Sequence, residues 1–410
     1  MEKFRLFRSR IRKSLDFFGV FVIMVGMRRY LEAYIKKDLP EKIVLLTGPR
    51  QAGKTTLSKM LTDSFDYFNY DNLDHRVALM EKSWDRSKAL IIFDELHKQK
   101  NWKSWLKGVF DTEGIPPSLL VTGSARLDTF RKAGDSLAGR FFQFRLHPLD
   151  LKEVNTFLQP ANPVDAADTL DQLLETGGFP EPFLKGESRF YKRWQKSHLD
   201  IIIRQDMIEL EDVQQIAAIE TLIALLKRRV GSPVSYRSLA EDLQCSDKTV
   251  KRWLTILENM YVIFRVPPYH RNIARAILKA PKFYFYDTGQ VIGDPGVKLE
   301  NLVACALMKE LHFQEDCFGE AGRLFYLKNK DGREIDFLVA GSTDPFLLLE
   351  VKWRDSALSP NFKAFEKYLP GIKKVQLVRM LKREKTFPDG AQIRLAHNWL
   401  ANLNLSGAPE

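Results

Sequence analysis

The sequence predicts an α/β fold with a parallel sheet in its N-terminal part. Two apolar runs of β-forming residues, 43–47 and 89–93, are the basis of this prediction. Each run is continuously hydrophobic, as strands buried on both faces of a parallel sheet are. The first run is followed by a glycine-rich loop and a segment with helical spacing, and the second ends in two adjacent carboxylates. Because open parallel sheets bind ligands at the carboxyl ends of their strands, both features are expected at the same edge.

The composition is that of a globular protein with a surplus of positive charge. The chain has 410 residues, 45% of them hydrophobic and 28% charged, and a formal net charge of +11. This length predicts roughly two to four domains. The charge favours contact with a polyanion, either nucleic acid or an anionic membrane surface, although solvated lysines would give the same value. The three cysteines are too few and too scattered for a disulfide framework or a zinc cluster, so we expect a cytoplasmic location.

The first 26 residues have a different pattern from the rest of the chain. Several basic residues precede an apolar run over residues 17–27. That run is shorter than the roughly 20 residues of a membrane-spanning helix, and no small-residue cleavage site follows it. We therefore expect an upstream extension or a misplaced start codon before a domain that begins at Met27, with a peripheral membrane anchor as the alternative.

The loop from Gly48 to Thr55 has the pattern of a phosphate-binding P-loop, and it stands between a predicted strand and a predicted helix. Its glycines let backbone N–H groups turn toward phosphates, and the following helix adds a partial positive charge. In this pattern Lys54 reaches the β- and γ-phosphates, and the Thr55 hydroxyl is a ligand of Mg²⁺. The predicted nucleotide-binding residues of the loop are Gly48, Pro49, Arg50, Gln51, Ala52, Gly53, Lys54, Thr55 and Thr56.

Asp94 and Glu95 are expected beside the phosphates because they end the second buried strand. Asp94 would hold the Mg²⁺ ion, and Glu95 would polarise the attacking water as a general base. Another strand is predicted to end at Thr122, so that Thr122 or Ser124 would sense the γ-phosphate. A further strand over residues 67–70 is expected at the edge of the sheet.

Three arginines are candidates for stabilising charge on the γ-phosphate in the transition state. Phosphoryl transfer often uses an arginine from the same chain or from a neighbouring subunit. Arg126 and Arg140 follow the third strand, and we favour Arg140, although surface ion pairs explain either residue equally well. A helical lid is predicted over residues 151–215. Within it, Arg204 could contact the γ-phosphate but more readily pairs within its own helix.

Residues 216–290 are expected to form a winged helix, because three helical segments are followed by an extended one. Ser235 and Ser246 are suited to cap the second and third helices. The last helix of such a domain commonly enters the DNA major groove, although winged helices also serve as protein-binding modules. The predicted DNA contacts are Lys248, Lys251, Arg252 and Arg265.

The C-terminal region, residues 291–410, has carboxylates inside otherwise apolar strands. Ionised groups in such strands are costly unless they are paired or bound to a metal. Side chains alternate along a strand, so Glu350 and Lys352 share a face, and Asp336 is expected on a paired strand. A divalent metal held there would activate water for phosphodiester cleavage. The alternative is a hairpin whose charges face solvent. The predicted site residues are Glu300, Asp336, Glu350 and Lys352.

From Met27 onward these motifs together resemble a large prokaryotic family of AAA-type ATPases. The segments that carry the resemblance are LLTGPRQAGKTTL, IIFDELHK, LLVTGSARLD, GDSLAGR, GGFPEPF, EIDFLVA and LLLEVK. The family joins an ATPase similar to archaeal origin-recognition proteins to a C-terminal domain of unknown function with nuclease-like elements. The resemblance implies ATP and Mg²⁺ as ligands, with Walker A at Gly48 to Thr55 and Walker B at Asp94 and Glu95. It also implies a C-terminal PD-(D/E)xK, restriction-endonuclease-like domain similar to Holliday-junction resolvases.

Three functions are compatible with these motifs. The leading one is Mg²⁺-dependent ATP hydrolysis that drives a conformational switch on DNA. The first alternative is an ATP-gated nuclease with a second divalent metal in the C-terminal domain. The second is a signalling or scaffold ATPase whose C-terminal domains bind protein. A homo-oligomer is compatible with each, whereas a membrane partner is not expected.

Overall fold

The computed structural model describes residues 28–123, 137–158, 165–206, 215–270, 280–355 and 357–406. The N-terminal extension with its apolar run, Ser124 and Arg126 therefore lie outside the described residues. None of the helices within the described ranges is long and apolar enough to cross a membrane.

The first part of the chain alternates strands and helices, which is the pattern of an α/β sheet with parallel strands. A 3-10 turn, Leu96–Lys98, follows the third strand. The elements are α1 (Glu32–Asp38), β1 (Ile43–Thr47), α2 (Lys54–Met60), β2 (Phe65–Asn69), α3 (Leu73–Glu81), β3 (Leu90–Asp94), α4 (Trp102–Glu113), β4 (Ser118–Thr122) and β5 (Phe141–Arg145).

These strands form a parallel sheet in the order β2-β3-β4-β1-β5, which confirms the predicted α/β class. Strand β2 lies at the edge, as predicted. Every residue of β1 and β3 is buried, because helices cover both faces of the sheet. Strand β4 lies between β1 and β3, so Thr122 at its end is placed between the P-loop and Asp94.

The middle of the chain is mostly helical and ends in an antiparallel strand pair. Two π-helical turns, Val154–Leu158 and Ile202–Asp206, extend the first and fourth helices. The elements are α5 (Leu151–Glu153), α6 (Ala166–Thr176), α7 (Pro180–Lys185), α8 (Ser188–Ile201), α9 (Ile216–Lys227), α10 (Tyr236–Asp242), α11 (Asp247–Asn259), β6 (Ile263–Val266) and β7 (Lys282–Phe285).

The predicted order of three helices and an extended strand is present in α9 to α11 and β6. The side chain of Ser235 accepts a hydrogen bond from the Ser238 backbone N–H, and Ser246 accepts one from Thr249, so both serines are caps as predicted. Strand β6 pairs antiparallel with β7. The assignment of this region as a winged helix stays a prediction.

The C-terminal part contains a long helix and a mixed sheet in the order β12-β13-β11-β10-β9-β8. A 3-10 turn, Thr288–Gln290, precedes the long helix. The elements are α12 (Pro295–Phe318), β8 (Arg323–Lys328), β9 (Glu334–Ala340), β10 (Pro345–Lys352), α13 (Asn361–Glu366), β11 (Lys373–Val378), β12 (Lys385–Thr386), β13 (Gln392–Leu395) and α14 (Ala396–Ala401).

Helix α12 joins the two sheets. It has 24 residues, which corresponds to a length of about 36 Å. It packs on β7 and β10 of the C-terminal half of the chain and also contacts β5 of the first sheet. Near its end, the ring of Phe313 meets the rings of Tyr30 and Tyr34 edge to face. The helix therefore contacts both the parallel sheet and the C-terminal sheet.

Candidate functional site

The P-loop follows β1 and ends in α2. Gly48 and Gly53 have φ angles of 141° and 95°, which other residues rarely adopt, and a Cβ at Gly48 would collide with the carbonyl of Leu146. The Lys54 ammonium donates hydrogen bonds to the carbonyls of Gly48, at 2.9 Å, and Pro49, at 2.7 Å. The ammonium is thus held inside the loop whose backbone would surround the phosphates.

At the end of β3, the Asp94 carboxylate accepts hydrogen bonds from three hydroxyl groups. Thr55 and Tyr67 donate to its Oδ2 atom at 2.9 Å and 2.7 Å, and the Thr122 hydroxyl donates to Oδ1. Burial and the hydrogen bond to Asp94 raise the pKa of Tyr67, so its hydroxyl stays a donor at neutral pH. Carboxylate and hydroxyl oxygens suit Mg²⁺, and the pair Thr55 and Asp94 therefore fits the ion.

Glu95 occupies a left-handed backbone conformation with a φ of 56°, which turns the chain from β3 into the following 3-10 turn. Residues other than glycine seldom adopt it, and such strain is common at functional sites. Burial raises the pKa of Glu95 to about 7, although the nearby Lys54 charge opposes the rise. A carboxyl group that titrates near neutrality is suited to accept a proton from water.

Arg140 does not lie near the P-loop of its own chain. The strand register pairs Phe141 with Ile43 at the start of β1, whereas the P-loop follows Thr47 at its end. The intervening strand corresponds to a separation of about 15 Å. Arg140 instead pairs with Asp111 of α4, with 2.7 Å between Nε and Oδ1. This placement excludes Arg140 from the nucleotide site of its own chain, so a catalytic role would require a neighbouring subunit.

His198 of α8 touches the P-loop, a role that no local pattern had indicated. Its Nε2 atom donates to the carbonyl of Arg50 at 3.2 Å. Burial lowers the pKa of His198 to about 4, so the ring is neutral at physiological pH. The ring of Trp194 stacks on it with 4.5 Å between centroids. Arg204, in the same region, pairs with Glu220 of α9, with 3.3 Å between Nη2 and Oε1, and its pairing within its own helix stays a prediction.

Arg29 and Glu153 form a buried ion pair next to the P-loop. Arg29 donates to the carbonyl of Ala52 at 2.7 Å through Nη1, and to Glu153 at 2.6 Å through Nε. The other oxygen of Glu153 accepts from Lys309 of α12, also at 2.6 Å. Burial alone would raise the pKa of Glu153, but the two cations outweigh it and lower that pKa. An unbroken chain of charged contacts therefore runs from the P-loop to α12.

A second link joins the same helix to the first sheet. Arg145, at the end of β5, binds Asp316 of α12, with 2.6 Å between Nη2 and Oδ1. The ring nitrogens of His147 and His312 lie 2.8 Å apart nearby. The C-terminal half of α12 is thus attached to the edge of the sheet that carries the P-loop.

The predicted C-terminal carboxylates do converge, but a lysine that the sequence had not indicated lies among them. The Lys282 ammonium, on β7, is 2.7 Å from Glu334, 3.3 Å from Glu300 and 3.9 Å from Asp336. In the described part of the chain, no group of three or more His, Cys, Asp or Glu residues could hold a metal ion. The expectation of a second divalent metal is therefore not supported, because Lys282 supplies the positive charge that these carboxylates need.

Glu350 completes this cluster from β10. Its Oε1 atom is 2.9 Å from the Lys352 ammonium, whereas its Oε2 atom is buried without a hydrogen-bond partner among the described residues. Burial and repulsion by Asp336 raise the pKa values of both Glu300 and Glu350 to about 7. All four predicted residues therefore meet at one place, in an environment that favours their protonated or cation-paired forms.

The predicted DNA-contacting residues lie on α11 and β6. Lys248, Lys251 and Arg252 are exposed and follow helical spacing, so they share one face of α11. Arg265 is exposed on β6 and pairs with Glu258, with 3.0 Å between Nη2 and Oε2. The chain thus presents a basic helical face, and its contact with DNA stays a prediction.

Comparison with family models supports the nucleotide site. Residues 40–155 match a model described as an AAA domain. Together with the strand, P-loop and helix geometry and the Asp94–Glu95 pair, this match supports a P-loop domain of the AAA type over residues 40–155. Residues 167–292 and 295–397 match two domains of unknown function, DUF8612 and DUF4143.

Several uncharacterized proteins are similar to this chain at low sequence identity. The uncharacterized protein Rv2008c of Mycobacterium tuberculosis is 28% identical over 271 residues, which span 65% of this chain but 59% of that protein. The uncharacterized protein MJ1544 of Methanocaldococcus jannaschii is 24% identical over 368 residues and covers 82% of this chain and 81% of its own length. Among solved structures, a RuvB variant from Thermotoga maritima covers 61% of this chain and 91% of its own, at 18% identity and a TM-score of 0.30.

Proposed function

We propose that this protein is a Mg²⁺-dependent ATPase whose nucleotide state sets the position of its C-terminal domains on DNA. The contacts of Arg29 support this proposal most directly. One guanidinium binds both the Ala52 carbonyl of the P-loop and Glu153, and Glu153 also binds Lys309 of α12. A P-loop that changes shape when phosphate binds would change the position of Arg29, and with it the helix that reaches the C-terminal sheet.

Four residues near the P-loop would each have a separate role in ATP hydrolysis, and a fifth would come from a neighbouring subunit. Thr55 and Asp94 would hold Mg²⁺, which neutralises charge on the β- and γ-phosphates when it is bound. Lys54 would exchange its two P-loop carbonyl partners for phosphate oxygens. Glu95, once ionised, would take the proton of the attacking water. In a homo-oligomer, Arg140 of one subunit would approach the nucleotide of the next.

DNA is the proposed partner of the α11 face. Lys248, Lys251 and Arg252 lie on the exposed face of α11, and the whole chain carries a net charge of +11. Side chains of this kind would bind phosphates or base edges in the major groove. Such binding should weaken as salt rises, with a slope of about −0.9 for each phosphate neutralised.

The decisive experiment measures duplex-DNA affinity without nucleotide, with ADP and with a non-hydrolysable ATP analogue. We expect a difference of at least about fivefold between nucleotide states, as coupled sites typically show. Lys54→Ala should abolish this difference while the apo affinity stays unchanged. Equal affinities in every state, together with intact ATP hydrolysis, would refute the switch and favour the signalling or scaffold ATPase.

An ATP-gated nuclease is a second candidate because the Oε2 atom of Glu350 is buried and has no hydrogen-bond partner among the described residues. A carboxylate oxygen without a partner is costly, and a cation brought with a DNA substrate would relieve that cost. The test is cleavage of plasmid and branched DNA with Mg²⁺ or Mn²⁺, with and without ATP. Cutting that disappears in Lys352→Ala is the expected sign of this activity. Intact DNA under every condition would eliminate the candidate for these substrates.

A further inference from the structure

A groove of about 980 Å³ lies in the C-terminal part of the protein. One wall is formed by Tyr269 and His270, which follow β6. The other walls are the turn between β8 and β9 and the residues at the end of α13. Its volume is at the upper end of the range for ligand sites, roughly 300 to 1,000 Å³, so it can accept more than a small metabolite.

The groove is strongly basic. Of the side chains that line it, Asp331 is the acidic one. Lys328 is compensated by Glu334 at 2.9 Å, but Lys330, Arg333 and Lys363 have no ion-pair partner among the residues that the structure describes. The basic lining residues are Lys328, Lys330, Arg333, Lys363 and Lys367. Cations gathered in a concave surface without matching carboxylates attract a polyanion.

An aromatic ring lies within this basic surface. Tyr368 is 53% exposed and lines the groove. The ammonium of Lys367 lies 4.7 Å from the centre of its ring, so aromatic and cationic groups are adjacent. On the opposite wall, Tyr269 is held edge to face against Phe325. Unpaired bases stack on exposed rings while nearby cations bind the backbone, which is the usual chemistry of single-strand recognition.

We propose that this groove binds single-stranded DNA, with its lysines and arginine on the phosphates and Tyr368 against a base. The bases of a duplex are already paired and stacked, so a duplex cannot use the ring in this way. The proposal rests on the proposed function only in taking DNA as the polymer. In this proposal, single-stranded DNA binds in the C-terminal groove, and duplex DNA binds on the exposed face of α11.

Two matched variants of the full-length protein test the charge of the groove. Each loses four cationic side chains, so the change in net charge is the same. The groove variant combines Lys330→Ala, Arg333→Ala, Lys363→Ala and Lys367→Ala. The control variant, on α8, combines Arg189→Ala, Lys192→Ala, Arg193→Ala and Lys196→Ala.

The measurement is fluorescence anisotropy of a labelled oligo(dT) over a salt series. The groove variant should bind at least about tenfold more weakly, and its salt slope should fall by roughly 0.7 for each phosphate that the variant no longer neutralises. The control variant should stay within about twofold of the unchanged protein. Equal weakening in both variants would overturn the proposal, because binding would then follow net charge alone.

The aromatic contact has its own test. Tyr368→Ala should weaken oligo(dT) binding by about fivefold or more, whereas Tyr368→Phe should retain it. If the Tyr368→Ala and Tyr368→Phe variants bind oligo(dT) with equal affinity, the stacking contact is overturned. Preference of the groove for oligo(rU) over oligo(dT) would overturn the assignment to DNA.

The same variants separate this proposal from the proposed function. ATP hydrolysis and duplex affinity should be unchanged in the groove variant, and a joint decrease of duplex and oligo(dT) binding would contradict a dedicated single-strand site. If duplex affinity is independent of nucleotide while the groove still binds oligo(dT), the proposed ATP-driven switch is refuted and the single-strand site is supported.

Discussion

The Nε atom of Arg29 donates a 2.6 Å hydrogen bond to Oε1 of Glu153, 124 residues further along the chain. The two side chains are 3% and 1% exposed, so water cannot replace either partner when the other is removed. The same arginine also donates to the Ala52 carbonyl, so the buried pair is in direct contact with the P-loop.

Arg29→Met is expected to lower the free energy of unfolding by about 3 kcal/mol, since Glu153 loses one of its two cations while it stays buried. Urea denaturation measures this decrease. The matched control is Arg237→Met on α10, whose pair with Glu241 is solvent-exposed and should contribute less than about 1 kcal/mol. Adding Glu153→Gln to Arg29→Met should recover part of the stability. Equal small decreases in both single variants would contradict a structural role for the buried pair.

Lys54→Ala is expected to reduce ATP hydrolysis by about a hundredfold or more, because it removes a charge aimed at the transferring phosphate. It should also abolish the thermal stabilisation by Mg-ATP, which would otherwise reach about 2.7 kcal/mol at a hundred times Kd. Phosphate release and thermal unfolding with and without Mg-ATP measure the two effects. Lys37→Ala, which changes an exposed lysine on α1, is the control. A stabilisation by ATP that survives in Lys54→Ala would argue against this P-loop as the nucleotide site.

The rate of hydrolysis should depend on the protonation of Glu95. This carboxyl group must be ionised to act as a base, and burial raises its pKa to about 7. The value of kcat/KM should therefore rise with pH up to about 7 and fall roughly tenfold per pH unit well below that point. Glu95→Gln should remove both the activity and this pH dependence while ATP still binds. A profile that is flat through neutrality in the unchanged enzyme would rule out Glu95 as the base.

Stability should decrease as pH rises through neutrality because of the C-terminal cluster. Glu300 and Glu350 have pKa values of about 7, above the ordinary value of 4.5. The folded state therefore holds their protons more tightly than the unfolded state. That contribution is fully present below about pH 4.5 and is lost as pH rises through about 7.

Urea denaturation of Glu300→Gln at pH values between about 5 and 8 tests this linkage. Across that pH range, the free energy of unfolding of the variant should decrease by about 1 to 3 kcal/mol less than that of the unchanged protein. Glu320→Gln, which changes an exposed side chain, should follow the curve of the unchanged protein. If Glu300→Gln keeps the full pH dependence, Glu300 is not the titrating group.

The local geometry of the predicted nucleotide site follows from short, continuous motifs, whereas nucleotide binding by these residues stays a prediction. Strand β1, the loop up to Thr55, and Asp94 with Glu95 follow from apolar runs and glycine spacing that are visible over a few residues. The helix caps Ser235 and Ser246 were predictable for the same reason. The position of Arg140 was not, because it depends on which strand lies beside β1 and in which direction that strand runs.

The C-terminal cluster was predictable only in part. The alternation of side chains along a strand correctly placed Glu350 and Lys352 on one face. Nothing in the segment around Lys282 indicated that its ammonium would lie among carboxylates from α12 and β9. That contact brings together residues from a strand of the middle region and from the C-terminal domain, and it changes the interpretation from a metal site to an ion-pair cluster.

By itself, the sequence determined the α/β class of the N-terminal part, the glycine-rich loop after β1 and the two carboxylates at the end of β3. These features depend on hydrophobic runs and backbone geometry within about ten residues, which local composition encodes. Only the tertiary structure decided that Arg29, Glu153 and Lys309 join the P-loop to a distant helix, and that Lys282 neutralises the C-terminal carboxylates. The partners in these contacts are far apart in the chain, so their meeting depends on how whole elements pack and on the need to pair every buried charge.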